Sequence, residues 1–558
     1  MKKTVLTLLL LLPAVAIQAQ SPFVPTLLPP TPVPWPAVRE IPAPLESAVM
    51  RIVRDGRLRV GILYNAPPFG LLNIRGVLAG MEADIARSMG DLWGVEVEFV
   101  QVTRHSAGEL LRTGAVDVLA AALVKQVDDQ REMEFCQSHY RGAQALLIHE
   151  ADDTTTLAQM EGRTLGVVAG ARADEALTRW QAGSGVRVNV RRYFTLDDAL
   201  RALRGREIDG LVDSRLTLGG VMVPGEMRML NEVLEHELHA LAVRRGDRPM
   251  RDLVNRSLQF LTVSGRMAEI HDANFPGSSL PHDLIAVWQG LGDQAPKPEA
   301  VAQTPDGPQP SVVARLEQGL PLRVAGVAAA DPEVPDSERR LAAWRLALAQ
   351  QLELRLGSVL QAVAGPPLEQ LAAGAADLAI GVPLDWGHAG QVEFSAPLLL
   401  HGERLLMPAD SDIDNFRGLR DQWMGVLSSE PGRDARAQAL AESAAVDINV
   451  FTIVRDEDIG WHLLIERDLD AVFADSLKLL APLQSQSSLL KLAARCPSCD
   501  PWYSRNWLGL ALPANDPEFR QRLEAALTGM WRDGSMAQLL APLVPGEDIA
   551  SLALQSGF

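Results

Sequence analysis

The sequence predicts an α/β protein built as two tandem domains, each of two lobes, and three observations carry that prediction. Short β-rich runs alternate with amphipathic helical stretches, the pattern that gives parallel sheets under helical cover. The alternation restarts within each half, so each half holds two α/β lobes. Short phrases of the first half also return in the same order in the second.

The bulk properties bound the rest. A chain of 558 residues suggests three or four compact units at roughly 100–200 residues each. Hydrophobic residues make up 47%, enough for ordinary cores, and the formal net charge is −18. Nucleic acid is excluded as a partner, since phosphate binding needs a cationic face, and docking to anionic lipid is disfavoured. The acidity is spread along the chain, as on a solvated surface.

Residues 1–19 read as a secretory signal peptide. Lys2 and Lys3 precede an apolar run from Val5 to Leu12, then Pro13 and small residues through Ala19. The run is shorter than the roughly 20 apolar residues that span a bilayer. No Cys follows it to carry a lipid anchor, and no later run is long enough to be membrane-spanning. The mature protein is expected outside the cytoplasm, secreted or periplasmic. Residues 20–46 are dense in proline and read as a semi-rigid extended spacer. The first domain is assigned to 47–278, a linker rich in Pro and Gln at its end to 279–311, the second domain to 312–546, and a tail to 547–558.

The repeat is visible as matched phrases. LRVGI from Leu58 returns as LRVAG from Leu322, an offset of 264 (322 − 58). REIDGLVDSRLTL from Arg206 matches RDLDAVFADSLKL from Arg467. SGRMAEIHDANFPG from Ser264 matches DGSMAQLLAPLVPG from Asp533, an offset of 269 (533 − 264). In the first half Leu58–Leu63 reads as a strand, Gly80–Trp93 as a helix, Val95–Val102 as a strand and Ala107–Thr113 as a helix. Val116–Leu123 is a continuous apolar run, as in a strand buried on both faces. The alternation resumes at Thr164–Val168, passes through a helix at Ala173–Gln181, and reaches a strand before Asp213.

Several phrases of Arg51–Gly277 together carry a resemblance. They are Ala66-Pro67-Pro68-Phe69, Gly80-Met81-Glu82-Ala83-Asp84, Gly114–Val118, Met133-Glu134-Phe135, Gly162–Val167, Gly205–Asp213, a returning strand near Leu238–Val243, and Phe275-Pro276-Gly277. In this order and spacing the sequence resembles the bacterial extracellular solute-binding proteins of family 3, the polar amino acid-binding components of ABC importers. The resemblance implies the periplasmic binding protein type II fold in two tandem copies, each with two lobes joined by two hinge strands and a cleft that closes on ligand.

A zwitterionic amino acid needs donors for its carboxylate and an anion for its ammonium. Gly170, Ala171 and Arg172 stand where a helix begins and offer amides and a cation. Asp213 suits the ammonium, unless it only caps the following turn. Tyr64 and Phe69 flank the first loop and suit a ligand side chain, unless they are ordinary core. Glu82 sits in a first helical turn, where compensation of the helix dipole competes with ligand contact.

The departures from the family pattern concern the ligand. Asp129 stands where the family has its carboxylate-binding arginine, and Arg131 lies two residues later. Ala121, Ala122, Val124 and Gln126 replace the usual small hydroxyl residues, and Asp213 follows Asp209 by four positions rather than five. The second half departs further, with Ala328–Asp331 in place of Pro-Phe and His388 near the arginine position. Asp470 and Asp475 keep the five-residue spacing there, and Ser428-Ser429-Glu430 occupies the helix-start loop. Ser429 and Asp475 are therefore candidate ligand residues. Trp386 and His388 form either a ligand wall or a loop packed for stability.

Three cysteines are present. Cys496 and Cys499 form Cys-Pro-Ser-Cys, which suits a local disulfide in an exported chain, with a redox pair or half a zinc site as alternatives. Cys136 is then unpaired and buried. No Ser-His-Asp, metal or phosphate-loop arrangement stands out, so no cofactor and no catalysis are expected. The function that follows is capture of a small polar solute by hinge closure and its delivery to an ABC permease. A ligand-sensing protein with degenerate sites that signals through a membrane sensor partner is the alternative, and a periplasmic dehydratase-type enzyme ranks below both.

Overall fold

The two leaves expected of the first half share one hydrogen-bonded ladder. The computed structural model describes residues 46–544 except 126–132, 279, 282–283, 302–310, 328–333, 494–500 and 515. Eight strands of the first half run in the order Glu96–Gln101, Arg57–Ile62, Val118–Ala120, Met227–Arg244, Met133–His149, Gly210–Ser214, Thr164–Val168 and Asn189–Tyr193. The two long strands are antiparallel partners from Met133↔Arg244 to His149↔Met227. The first lobe's Val118–Ala120 pairs near one end of this ribbon, with Leu119 opposite Ala242. The second lobe's Gly210–Ser214 pairs near the other, with Asp213 opposite Ala145. The ladder is continuous because the hinge strands pair with each other. Register shifts between Met229 and Val233, Val233 and Glu235, His239 and Ala240, and Ala240 and Ala242 bend it.

The central parallel strands of each lobe carry the buried apolar residues, whereas the edge strands Glu96–Gln101 and Asn189–Tyr193 are partly polar and hold no buried residue. Leu58, Val60 and Ile62 are fully buried, as are Leu211 and Val212. The apolar run Val116–Leu123 forms only the short strand Val118–Ala120, since Ala122 turns to a φ of 50°. Gly80 has a φ of 123°, and a Cβ there would lie 2.3 Å from the Phe69 carbonyl oxygen. A glycine is therefore required where the Phe69 loop meets the helix Met81–Trp93.

The second half repeats the strand order in two separate sheets. One runs Leu360–Val363, Leu322–Ala325, Leu378–Pro383, Asn506–Pro513 and Val392–Phe394. The other runs Asn449–Ile453, Trp423–Leu427, Ala471–Asp475, Glu403–Pro408 and Leu490–Leu492. Here the hinge is interrupted at Gly402, whose φ of 153° lets its backbone lie against the Ser504 carbonyl.

Matched polar contacts mark the repetition. Asp117 accepts from Arg59 N at 2.8 Å and pairs with Arg51 and Arg59. Asp377 accepts from Arg323 N at 2.9 Å and pairs with Arg315 and Arg323. Asp247 and Asp516 each cap a long helix, at Met250 N and Phe519 N. Each also reaches back to the first amide of the helix that precedes its half's first strand, Ala48 N and Val312 N, both at 2.7 Å.

The halves meet through a cluster of charges with the same two-fold logic. Arg251 pairs with Glu134 of its own half and with Glu393 of the other at 2.7 Å. Arg520 pairs with Glu393 of its own half and lies 3.5 Å from Glu134. Trp288 of the linker stacks on Trp386, with centroids 4.4 Å apart.

Candidate functional site

The midpoints of the two hinge strands place a polar and aromatic cluster between the lobes of the first half. Phe69 is buried and stacks on His239 at 4.6 Å, with Tyr140 edge-on at 5.2 Å. Tyr140 in turn stacks on Phe275 at 4.6 Å. Phe69 thus holds the loop against both hinge strands. Tyr64 is half-buried and packs on the core of the first lobe.

Glu82 is fully buried, so it has a larger task than dipole compensation at its helix start. Its carboxylate accepts from Ala122 N at 2.9 Å and lies 3.2 Å from His139 Nε2. It fixes the turn after Val118–Ala120 from behind the aromatic cluster. Arg131 and Asp129 lie outside the described residues, as do Cys496, Cys499 and the Ala328–Asp331 segment.

On the second lobe Arg172 donates to Glu237 at 2.8 Å, and Glu237 also accepts from Gln144 Nε2 at 3.0 Å. Gly170 and Ala171 precede the helix Arg172–Ser184, with Gly170 at a φ of 70°. Their amides are engaged within the chain: Ala171 N donates to Val168 O at 3.1 Å, and Gly170 N to the Asp174 carboxylate. The helix start therefore offers a ligand carboxylate fewer donors than the sequence suggests.

Asp213 lies one residue from the end of the strand Gly210–Ser214 and is half-buried. Its Oδ1 accepts from Ser214 N at 2.6 Å, while Ser214, not Asp213, caps the next helix. Burial, with Glu237 nearby, pushes the Asp213 carboxyl above its ordinary range, and the Ser214 amide and Thr217 hydroxyl only partly offset this. No cation pairs with it among the described residues. The site thus holds a partly desolvated anion that a ligand ammonium would stabilise.

His239 is held neutral. Burial pushes its pKa down to about 4, against a smaller opposing effect of Glu82. A histidine that titrates lower folded than unfolded gives its full stability above the ordinary value of about 6.5 and loses it as pH falls toward 4. His239→Phe, which keeps the stack on Phe69, is expected to flatten the fall of melting temperature across that window. An unchanged slope would assign the titration to another group.

Asp475 and Ser429 of the second half are each engaged within the chain. Asp475 accepts from His401 Nδ1 at 2.8 Å and from Leu477 N at 3.0 Å. Glu430 accepts from Asp475 N, and Arg433 pairs with Glu430 and Glu403. Ser429 bonds Asp456 and Lys478, both at 2.9 Å. The ligand wall of Trp386 and His388 does not form. Trp386 turns to the junction, stacked on Trp288 and donating from Nε1 to Gln259 at 2.8 Å, and His388 is exposed in the turn beside it. The physical reason is that burial against the linker and the first half gives an indole more apolar cover than a turn facing water.

Sequence reasoning missed His139, Tyr140, Gln144, Glu237 and His239. A signal existed: polar residues interrupt apolar runs in SHYRGAQALLI and HELHALAV, as in strands that cross from one lobe to the other.

The comparisons agree with this geometry. Residues 58–277 match the bacterial extracellular solute-binding proteins, family 3. The L-arginine-binding protein of Pseudomonas aeruginosa is 22% identical over 231 residues, covering 40% of this chain and 88% of that protein. The ABC transporter glutamine-binding protein GlnH of Bacillus subtilis is 22% identical over 232 residues, 40% of this chain and 84% of that protein. A membrane-bound lytic murein transglycosylase F of Desulfosudis oleivorans is 24% identical over 196 residues, but only 43% of its length is covered. The similarity to family 3 thus lies in the first half of the chain. Among the described residues no helix is long and apolar enough to cross a membrane.

Proposed function

We propose that the first half captures a small polar solute bearing a cationic amine, an amino acid or a related compound, between its lobes. The observation that carries this reading is the contrast between the aspartates near the ends of two corresponding strands, Asp213 one residue before the Ser214 helix cap and Asp475 at the cap itself. Asp475 is paired with His401, whereas Asp213 has no ion-pair partner among the described residues and is partly desolvated. An ammonium fills that role, and Phe69, Tyr140 and His239 supply the adjoining wall. Hinge closure then follows from tighter binding to the closed state, without chemistry. The exported receptor hands its solute to an ABC permease. The self-paired cleft of the second half favours one alternative, in which that half is a fixed element read by a membrane sensor partner.

A thermal-shift screen of the full chain against amino acids, opines, polyamines and small carboxylates tests the reading. A ligand at 100 times its dissociation constant is expected to add about 2.7 kcal/mol. Asp213→Asn is expected to abolish the shift from amine-bearing compounds. A shift that survives in this variant would remove Asp213 from the site.

A further inference from the structure

A cavity lies at the junction of the two halves, away from the lobe cleft. Its walls come from the free edge of Met133–His149, the helices Arg248–Val263 and Pro517–Arg532, the linker near Trp288, and the segment after Phe394. The carboxylates that line it are already paired with guanidiniums, Glu134 with Arg251 and Glu524 with Arg520. Lys125 is the exception. Its backbone amide donates to Leu238 O at 2.8 Å, but its ammonium makes no hydrogen bond or ion pair among the described residues. Burial pushes its pKa below the ordinary range, and Glu524 offsets this only through space.

Further polar groups on the cavity wall lack partners. Both side-chain amide atoms of Gln137, the hydroxyl of Ser138 and the indole N–H of Trp288 are buried and unpaired among the described residues. A buried donor without an acceptor costs roughly 1–3 kcal/mol. Three such residues and an ammonium around one cavity are therefore poor structural filler and a good anion site. Leu284, Ala286 and Phe394 form an apolar side of the same space.

We propose that this cavity is a second ligand site, taking a small carboxylate whose anionic end neutralises Lys125 and whose body lies against Leu284, Ala286 and Phe394. Gln137 and Ser138 supply further hydrogen bonds to the carboxylate. Such a ligand bridges the two halves, so its binding stiffens their junction whether or not the lobe cleft is filled.

Calorimetric titration of the full chain with acetate, succinate and benzoate, against sulfate at matched ionic strength, tests the site. At least one carboxylate is expected to bind saturably at one site per chain, and sulfate is not. Lys125→Met should weaken that binding about 30-fold, the value of one charge-assisted hydrogen bond. Its melting temperature should equal or exceed the parent's, because an apolar side chain replaces an unpaired ammonium. Gln137→Leu is the second variant and should weaken binding several-fold. Lys125→Met should also keep any shift that amino acids cause through Asp213, which separates a failure here from a failure of the lobe-cleft reading. No saturable binding by any of the three probes, or unchanged binding in both variants, would overturn the proposal.

Discussion

Glu393→Ala is expected to lower the stability of the chain by about 3–5 kcal/mol, the cost of removing one partner from a buried charge cluster. Glu393 is 4% exposed and receives Arg251 of the first half at 2.7 Å and Arg520 of the second. Without it, two guanidiniums remain buried between the halves with only Glu134, Asp252 and Glu524 to share. Glu393→Gln keeps the shape and one acceptor and should lose less. Acid should reproduce the effect. Burial alone would push the Glu393 carboxyl up, but Arg251, Arg520 and Arg248 outweigh it and hold it at about 2. A carboxyl that titrates lower folded than unfolded gives its full stability above the ordinary value of about 4.3 and loses it as pH falls through 2. Urea unfolding at neutral pH and near pH 3 measures both effects. A loss under about 1 kcal/mol in Glu393→Ala, the value of a surface pair, would mean that the halves do not meet through this cluster.

Asp377→Ala and Asp117→Ala are expected to show matching losses of about 3–5 kcal/mol each. Both carboxylates are 2% exposed, and each bonds a strand amide and two arginines. Each ties the first strand of its half to the segment before the next strand and to the helix preceding it. Burial would raise the Asp377 carboxyl, yet the Arg323 side chain and amide and the Arg315 side chain hold it below its ordinary range. Its contribution is therefore complete above about pH 4 and fades as pH falls further. Chemical unfolding followed by tryptophan fluorescence reads the losses. An effect at Asp117 without one at Asp377 would show that the second half does not depend on the repeated bridge.

Much of this fold is legible in the order of residues. The strand at Thr164–Val168 and the helix ending at Trp93 follow their apolar periodicities. The offset of 264 that aligns Leu58 with Leu322 also aligns Arg59 with Arg323, and the two arginines make the same bonds. The hinge strands are the main shortfall. Met133–His149 and Met227–Arg244 run 17 and 18 residues, yet only Leu238–Val243 stands out in the sequence. Their centres carry His139, Tyr140, Glu237 and His239, which break the apolar alternation where the hinge strands cross between the lobes and pair with Glu82, Phe69 and Arg172.

By itself the sequence determined many of the short lobe strands and helices, that the pattern occurs twice, and which family the first half resembles, because local periodicity and glycine placement act within a few residues. Only the tertiary structure decided which charges find partners. Asp213 and Asp475 lie one position apart in the repeated strand, and Asp475 finds its partner in a histidine 74 positions away in sequence. Pairing and burial are set by contacts between distant segments, and no local pattern records them.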